Sequence, residues 1–583
     1  MPASLCLRLA QVISVVLFGA LWASASADFG QCIADVRVNK FGSSGVLDFY
    51  GNPVSNVSNA QGLTLPACEA YCGTSHAQFQ WFTFSQEFSS WLLPWLALSS
   101  QLPFGGTSRL ENALAGLLVV GSPALAVYSL SLTVLQRRWI ERRFAGMSTV
   151  VPNARLIQRV LIALQQASVV LADTGVGRPP LLESLIVLPE NDRWWHSLAQ
   201  RIERAPMWTA SAGFSIFWVV LALGFTIVDS IASPARDISN HGHAVGAVWL
   251  WLVPVVAGWL QARFEPDPGR LVREVAHANE NAYVASENSD EPVLARMISQ
   301  RQALTVTLRV RTDADRPAPI FAGARIFKGS AVVEKIASMC DAFRDSAEMH
   351  VPVSAGGTGD KQWAIGPCDD VQGTNRRGSA EQVRAYCAPR DPHAQQSRWA
   401  PGVFRRIARA AACAMFMQWS TTGAAIAITY LTPTIGLGCR SGSFLIYGFV
   451  ATVSWAHLVF ASILAHAAEG VRPGIVSKLL GSLEAFLRVS GKVLASCNAV
   501  WLVTLCIFQF SGFYSTCYCM SSAWSRGANA YVVFPTWDEL AHLGARTVWI
   551  VGVIASGAAG LLYAVFLYFM TDTRELEEQY RGR

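Results

Sequence analysis

Two apolar runs, Ala411–Leu431 and Phe444–His466, are separated only by the polar link 432–443. Each run is close to the ~20 residues that a helix needs to cross the hydrocarbon of a bilayer. Backbone amides in lipid must bond within their own segment, so two such runs form a helical hairpin. That hairpin sets a membrane frame for the rest of the chain. The composition agrees, with 15% charged residues against a usual share of about 25% in soluble proteins. Twenty tryptophans fit as well, because indole rings favour the membrane–water boundary. The formal charge of +6 gathers at the ends of apolar runs, where orientation rules place it, and carries no nucleic-acid meaning.

The remaining spans follow the same rule. Residues 1–27 read as a secretory signal: Arg8 precedes the apolar run Leu9–Trp22, and Ala25-Ser26-Ala27 offers a small-residue cleavage site. An uncleaved anchor is the alternative. Trp91–Leu102 is too short to span and reads as an interfacial or re-entrant segment. Asn112–Leu135 is the first full span, kinked at Pro123. Arg137, Arg138, Arg142 and Arg143 follow it at once and mark the cytoplasmic side. Ala212–Ala232 and Ala244–Gln261 are the second and third spans, the latter with Pro254 as a kink site. After the hairpin come Val493–Gly512 and Thr547–Met570, where Gly552, Ser556 and Gly560 form a small-residue stripe that lets another helix approach. The expected fold is an all-α polytopic membrane protein of about seven spans, amino terminus outside and carboxyl terminus inside. Links 136–150 and 467–492 hold four Lys or Arg each and links 233–243 and 432–443 one each, in the same sense.

Between the spans, residues 28–90 form a small exoplasmic region dense in turn residues. The segment 136–211 is cytosolic. Leu156, Val160, Leu161, Leu164 and Val169 recur there at near-helical spacing, and Trp194-Trp195 open an amphipathic helix that lies in the headgroup layer or packs on the protein. The stretch 262–404 reads as a long, partly disordered cytosolic loop, with a short strand at Thr305–Val310 and a helix at Arg325–Phe343. Residues 405–570 form a four-span bundle and 571–583 a cytosolic tail.

Six cysteines fall on the exoplasmic side: Cys32, Cys68, Cys72, Cys439, Cys517 and Cys519. An even number there suits three disulfides, with fifteen possible connectivities. Cys439 pairs best with Cys517 or Cys519, stapling the hairpin link to the last large loop; unpaired or lipidated Cys517 and Cys519 are the alternative. Asn56-Val57-Ser58 is a glycosylation sequon. Cys340, Cys368 and Cys387, with His350 and His393, are too irregularly spaced for a structural zinc site, so no metal or other cofactor is expected. Gly356-Gly-Thr-Gly359 lacks the Lys-Ser/Thr of a phosphate-binding loop. No hydrolase or intramembrane-protease motif is present, and no catalytic residues are assigned.

Within the spans, His457, Asn498 and Asp229 are the polar candidates. Asp229 is shallow enough to reach water, whereas His457 and Asn498 sit at matched depth in neighbouring spans. A His457–Asn498 hydrogen bond is the expectation, and a histidine satisfied by a serine or a carbonyl is the alternative.

Trp91-Leu-Leu-Pro-Trp-Leu-Ala-Leu-Ser-Ser-Gln-Leu-Pro-Phe104, Leu185-Ile-Val-Leu-Pro-Glu-Asn191 and Thr432-Pro-Thr-Ile-Gly-Leu-Gly-Cys-Arg-Ser-Gly-Ser443 resemble recurring segments of a family of fungal multi-pass membrane proteins. The resemblance covers most of the chain outside 262–404. It implies a fungal source and a membrane location, and it transfers no activity. Three classes remain: a non-enzymatic surface, receptor-like or scaffolding protein, then a solute transporter, then a membrane-embedded enzyme. The lipid bilayer is the expected partner, nucleic acid is not, and the plasma membrane is the expected site within the secretory pathway.

Overall fold

The computed structural model describes residues 32–571 except 33–34, 37, 39, 41–43, 55–59, 74–78, 103–108, 166, 168, 172–179, 203–209, 233–238, 263–267, 288–290, 299–303, 307–325, 356–362, 365–370, 389–398, 433, 469–473 and 535–544. The signal segment and Asn56 lie outside the described residues, as do Cys368 and His393.

At the start of the described chain, strands Val46–Leu47 and Gly62–Thr64 pair antiparallel. Gly62–Thr64 then pairs with Tyr531–Val533 from the far end of the sequence. Helix α1 (Leu65–Cys72) follows, with Thr64 accepting from Ala67 N and Pro66 in its first turn. Helix α2 (Trp81–Glu87) passes through a π-helical turn, Phe88–Leu92, into α3 (Leu93–Ser99). Trp91, Trp95 and Leu98 recur at helical spacing, and all three are buried in the main core. The segment expected to be interfacial or re-entrant is thus packed into the helix bundle, which goes against the interfacial alternative.

Helices α4 (Arg109–Gly121) and α5 (Pro123–Phe144) replace the expected single kinked span. They meet at 101°. Ser122 leaves the helical region (φ −146°, ψ 84°), and Pro123, which has no amide proton to donate, suits the first turn of a new helix. From Pro123 to Gln136, α5 is buried all round. Next come α6 (Ala154–Leu164), α7 (Leu181–Val187), α8 (Asp192–Ile202) and α9 (Ala210–Ala232). Helices α10 (Ser239–Trp249) and α11 (Leu252–Gln261) form one apolar span, with its break just ahead of Pro254. Helices α12 (Pro268–Asn279), α13 (Ile326–Glu348) and α14 (Ala380–Tyr386) occupy the long loop. Finally, α15 (Val403–Leu431), α16 (Cys439–Ala468), α17 (Ile475–Phe510) and α18 (Ala545–Thr571) complete the bundle.

Among the described residues, five helices have the length and apolar composition of a membrane span: α10 and α11 together, α15, α16, α17 and α18; a sixth is added if α4 and α5 count as one. The α4–α5 bend accounts for part of the difference from the expected seven; α9 itself runs over Ala210–Ala232. Helix α17 also begins 18 residues before the expected start at Val493. It is 36 residues long, or ~54 Å at 1.5 Å per residue. Its early turns carry exposed Ile475, Leu479, Leu483 and Phe486 at spacings of three and four, so an amphipathic segment and an apolar one join in a single helix.

Helix α15 is the hub of the bundle, touching α5, α10, α16 and α18. Its inward stripe is Ala410, Ala414, Met417, Thr421, Ala425 and Ile428, all fully buried. Small residues on that stripe let neighbouring backbones come close. Gly552 of α18 sits against it, where a Cβ would meet Ile428 Cγ1 at 2.6 Å. Large apolar side chains point outward instead, among them Phe416 on α15, Phe449 on α16 and Leu561 on α18, as on a surface covered by lipid acyl chains.

A second core lies off the bundle. It joins α6, α7, α8, α12, α13 and α14 with residues from 140–202 and 271–387. Strand Val169–Leu171 of one segment pairs with Leu304–Val306 of the other. The stretch 262–404, expected as a partly disordered loop, therefore contributes helices to a packed domain at the Val403 end of α15, opposite the hairpin link and called the inner domain for that position alone. Its apolar residues are too few for a core of their own, and the 136–211 segment supplies the other half. Trp194 and Trp195 are buried there, so their helix packs on protein. Cys340 and Cys387 are buried free thiols of the same core. Burial pushes Cys340 up to about 12, which makes it a small apolar filler.

Candidate functional site

Helix α5 starts at a break where side chains from three other helices bond freed backbone groups. Asn498 Nδ2 donates to Gly121 O at 2.7 Å and to Tyr447 O at 3.0 Å. The Tyr447 hydroxyl donates to Val120 O at 2.8 Å, and Ser122 Oγ donates to Ala451 O at 2.9 Å. On the other side of the break, Ala124 N donates to Gln418 Oε1 at 3.1 Å. Gly121 is required here, because a Cβ at that position would lie 1.7 Å from Ala495 O. Asn498 is thus a lattice pin for the broken helix, not the partner of His457. His457 Nδ1 is 3.0 Å from Ser490 Oγ instead. The two residues are not level: Asn498 lies opposite Tyr447 and His457 opposite Ser490, and the stretch of α16 between them is ~15 Å long at 1.5 Å per residue. The side chain of Asp229 lies outside what is described.

At the 432–443 end of the hairpin, three disulfides among the described residues join elements far apart in sequence: Cys32–Cys72, Cys68–Cys517 and Cys439–Cys519. Cys439 begins α16, so the last link fixes the hairpin's cap to the loop after α17. The sulfurs of Cys68, Cys72 and Cys517 lie within 4.8 Å of one another, so two of the links are adjacent. Ser522 Oγ donates to Thr434 O at 2.6 Å and Val533 N to Thr434 Oγ1 at 3.0 Å, which binds the hairpin link further to this cap.

Beneath the cap, polar atoms are buried without protein partners among the described residues: Glu87 Oε1, Arg440 Nε and both amide atoms of Gln509. Burial pushes the Glu87 carboxyl up to about 8, and the opposing Arg440 charge only partly offsets it. Tyr514 and Ser443 share a 2.9 Å hydrogen bond on the same end of the bundle.

At the inner end, two helices belong to both cores. Helix α5 gives Val127, Leu130 and Val134 to the bundle, then Ile140 and Phe144 to the inner domain; α13 gives Ile326 and Phe327 to the bundle and Val333, Ile336 and Phe343 to the domain. Polar contacts fasten the junction. Gln136 Nε2 donates to Ser330 Oγ at 3.1 Å, Arg406 Nη2 reaches the same hydroxyl at 3.4 Å, and the Arg406 guanidinium lies 4.2 Å from the Trp139 ring centroid. Arg143 then forks between Glu334 at 3.2 Å and Asp341 at 2.6 Å.

The inner domain carries an open cleft of about 580 Å³ between the start of α8 and the turn at 372–377. Two buried side chains build its wall. Asn191 Nδ2 donates to Ser184 O and Tyr283 O at 2.8 and 2.9 Å, and its Oδ1 accepts from Tyr283 N at 2.8 Å. Arg376 donates to Val187 O at 2.8 Å, at the end of α7, and makes a two-pronged contact with Asp192 at 2.9 and 2.6 Å. The cleft is then lined by Glu190, Arg193, Tyr283, Gln372, Thr374 and Arg377. Arg377 is paired with Glu190.

No protein-family model, curated protein or solved structure matches the chain. The sequence reading passed over Asn191, Arg376 and the cleft. The adjacent arginines Arg376-Arg377 were the available signal, but they sit in a Gly-, Pro- and Arg-rich stretch whose composition resembles disorder. Glu87 and Arg440 were missed because each lies at the edge of an apolar run, where a charge costs little if it faces water.

Proposed function

We propose that this chain is a non-enzymatic, receptor-like membrane protein that conveys a change at its disulfide-tied outer cap to the inner domain. The single observation behind this reading is that α5 and α13 are each part of both hydrophobic cores. A packed helix transmits displacement because close-packed interiors do not deform freely, so a shift of α5 in the bundle moves Ile140 and Phe144 in the domain. In this reading the bundle crosses a membrane of the secretory pathway, the plasma membrane first among them. The likeness to fungal multi-pass proteins is part of the same proposal.

Hydrogen exchange on the intact chain in nanodiscs tests the reading. Cys439→Ser, which opens one outer link, is expected to raise exchange in α13 and α8 as well as in the hairpin. Raised exchange confined to the cap and hairpin would refute conveyance. A solute transporter is the second reading, and the observation that favours it is the broken helix at 121–123, a device that transporters use around substrate sites. Proteoliposome uptake across a solute panel decides it: uptake by the wild type that Gln418→Ala abolishes supports transport, and no uptake removes the reading.

A further inference from the structure

The inner cleft holds a donor and an acceptor that the protein itself leaves unused. Arg193 lines the cleft and is exposed, with no hydrogen-bond or ion-pair partner among the described residues. Glu190 gives Oε1 to Arg377, while its Oε2 is buried without a partner. A buried acceptor left open costs free energy unless something supplies a donor. Across the cleft, Tyr283, Gln372 and Thr374 add hydroxyl and amide groups. Two guanidinium groups against one carboxylate give the lining a net positive charge.

We infer that this cleft binds a hydroxylated phosphate ester, with Arg193 taking the phosphate and Glu190 Oε2 accepting from a ligand hydroxyl. A guanidinium suits phosphate oxygens because its N–H groups form a planar fork. An anion without a hydroxyl reaching past the charged group would satisfy Arg193 yet leave the acceptor at Glu190 open, so the carboxylate selects for a hydroxyl set beside the phosphate. The wall is set before any ligand arrives. Arg376 and Asn191 hold the 372–377 turn and the 189–192 segment through buried hydrogen bonds, which lowers the ordering cost of binding. The same chemistry is offered by a free polyol phosphate and by a phosphorylated inositol headgroup. The assignment goes beyond the receptor-like reading and does not depend on it.

The test is calorimetric titration of the full chain in phosphatidylcholine nanodiscs, with inositol monophosphate and with inorganic phosphate as probes. The wild type is expected to bind inositol monophosphate saturably and more tightly than inorganic phosphate. Arg193→Gln, at an exposed position, is expected to keep its unfolding midpoint and to lose about tenfold or more in affinity for both probes. Glu190→Gln is expected to erase the preference for the hydroxylated probe while inorganic phosphate still binds. Nanodiscs that also contain a phosphorylated phosphatidylinositol identify the source. Undiminished titration there means a free ligand, and titration abolished by the lipid means a headgroup. Absence of saturable binding of either probe to the wild type overturns the proposal, and so does wild-type affinity in Arg193→Gln.

Discussion

Replacing Glu87 by glutamine isolates the energetic cost of a buried carboxyl beneath the cap. The side chain is 6% exposed, and burial raises its pKa from 4.5 to about 8 against the opposing pull of Arg440. A folded-state pKa above the unfolded one means that the folded chain holds the extra proton between the two values, so stability falls there as pH rises. The contribution is whole below pH 4.5 and is lost as pH climbs through about 8. At about 1.4 kcal/mol per pH unit for one proton, the ceiling over that window is about 5 kcal/mol. Local relaxation and water reaching the open oxygen reduce this to roughly 2–3 kcal/mol. Glu87→Gln removes the proton linkage and keeps the shape. Unfolding midpoints of the intact wild type and variant in nanodiscs, followed from about pH 5 to about pH 9, read the difference. The two are expected to agree near pH 5, with the wild type falling behind by that amount near pH 9. Parallel curves would refute the reasoning. A wild type that gains on the variant as pH rises would mean that Glu87 ionises and pairs with Arg440.

Gly121→Ala should be among the most damaging small substitutions in the bundle. Its Cβ would fall 1.7 Å from Ala495 O, and parting α4 from α17 is expected to cost about 3 kcal/mol, read as a lowered unfolding midpoint; a loss below about 1 kcal/mol would mean the break is loosely packed. Arg376→Met takes one donor from Asp192, which keeps Asn153, and removes the guanidinium from two carbonyls, an expected loss of about 1–3 kcal/mol. Hydrogen exchange should then rise first in α14 and in the 372–377 turn, and unchanged protection there would remove Arg376 from its role as the wall of the cleft.

The apolar hairpin and the six bonded cysteines were legible because each signal is simple: run length in one case, an even count in the other. Pairing was not, since Cys68 and Cys517 are 449 residues apart and nothing near either names its partner. The inner domain was hidden for the same reason. Its decisive ion pair, Arg376 with Asp192, spans 184 residues, and the segments that carry it each look too polar to fold by themselves. The α4–α5 break was half visible: Pro123 announces a disturbance, but a kink and a 101° bend differ only in whether other helices can satisfy the freed groups. Asn498 and Gln418 do so, and their role depends on which way they face, which hydropathy does not encode.

Those two side chains also decide what α5 can do. A broken helix whose ends bonded only to water or lipid would be free to straighten, since its unsatisfied groups would gain by closing. Here the break is filled from α15, α16 and α17, so α5 starts from a fixed point inside the bundle. Its middle is buried on every side, and its last turns lie in the inner core. In the proposed reading, a helix pinned at its start and embedded at its end does not shift in one core while leaving the other as it was. The lattice at Gly121 and the Arg143 fork are therefore the two ends of one lever, and loosening either is expected to be felt at the other.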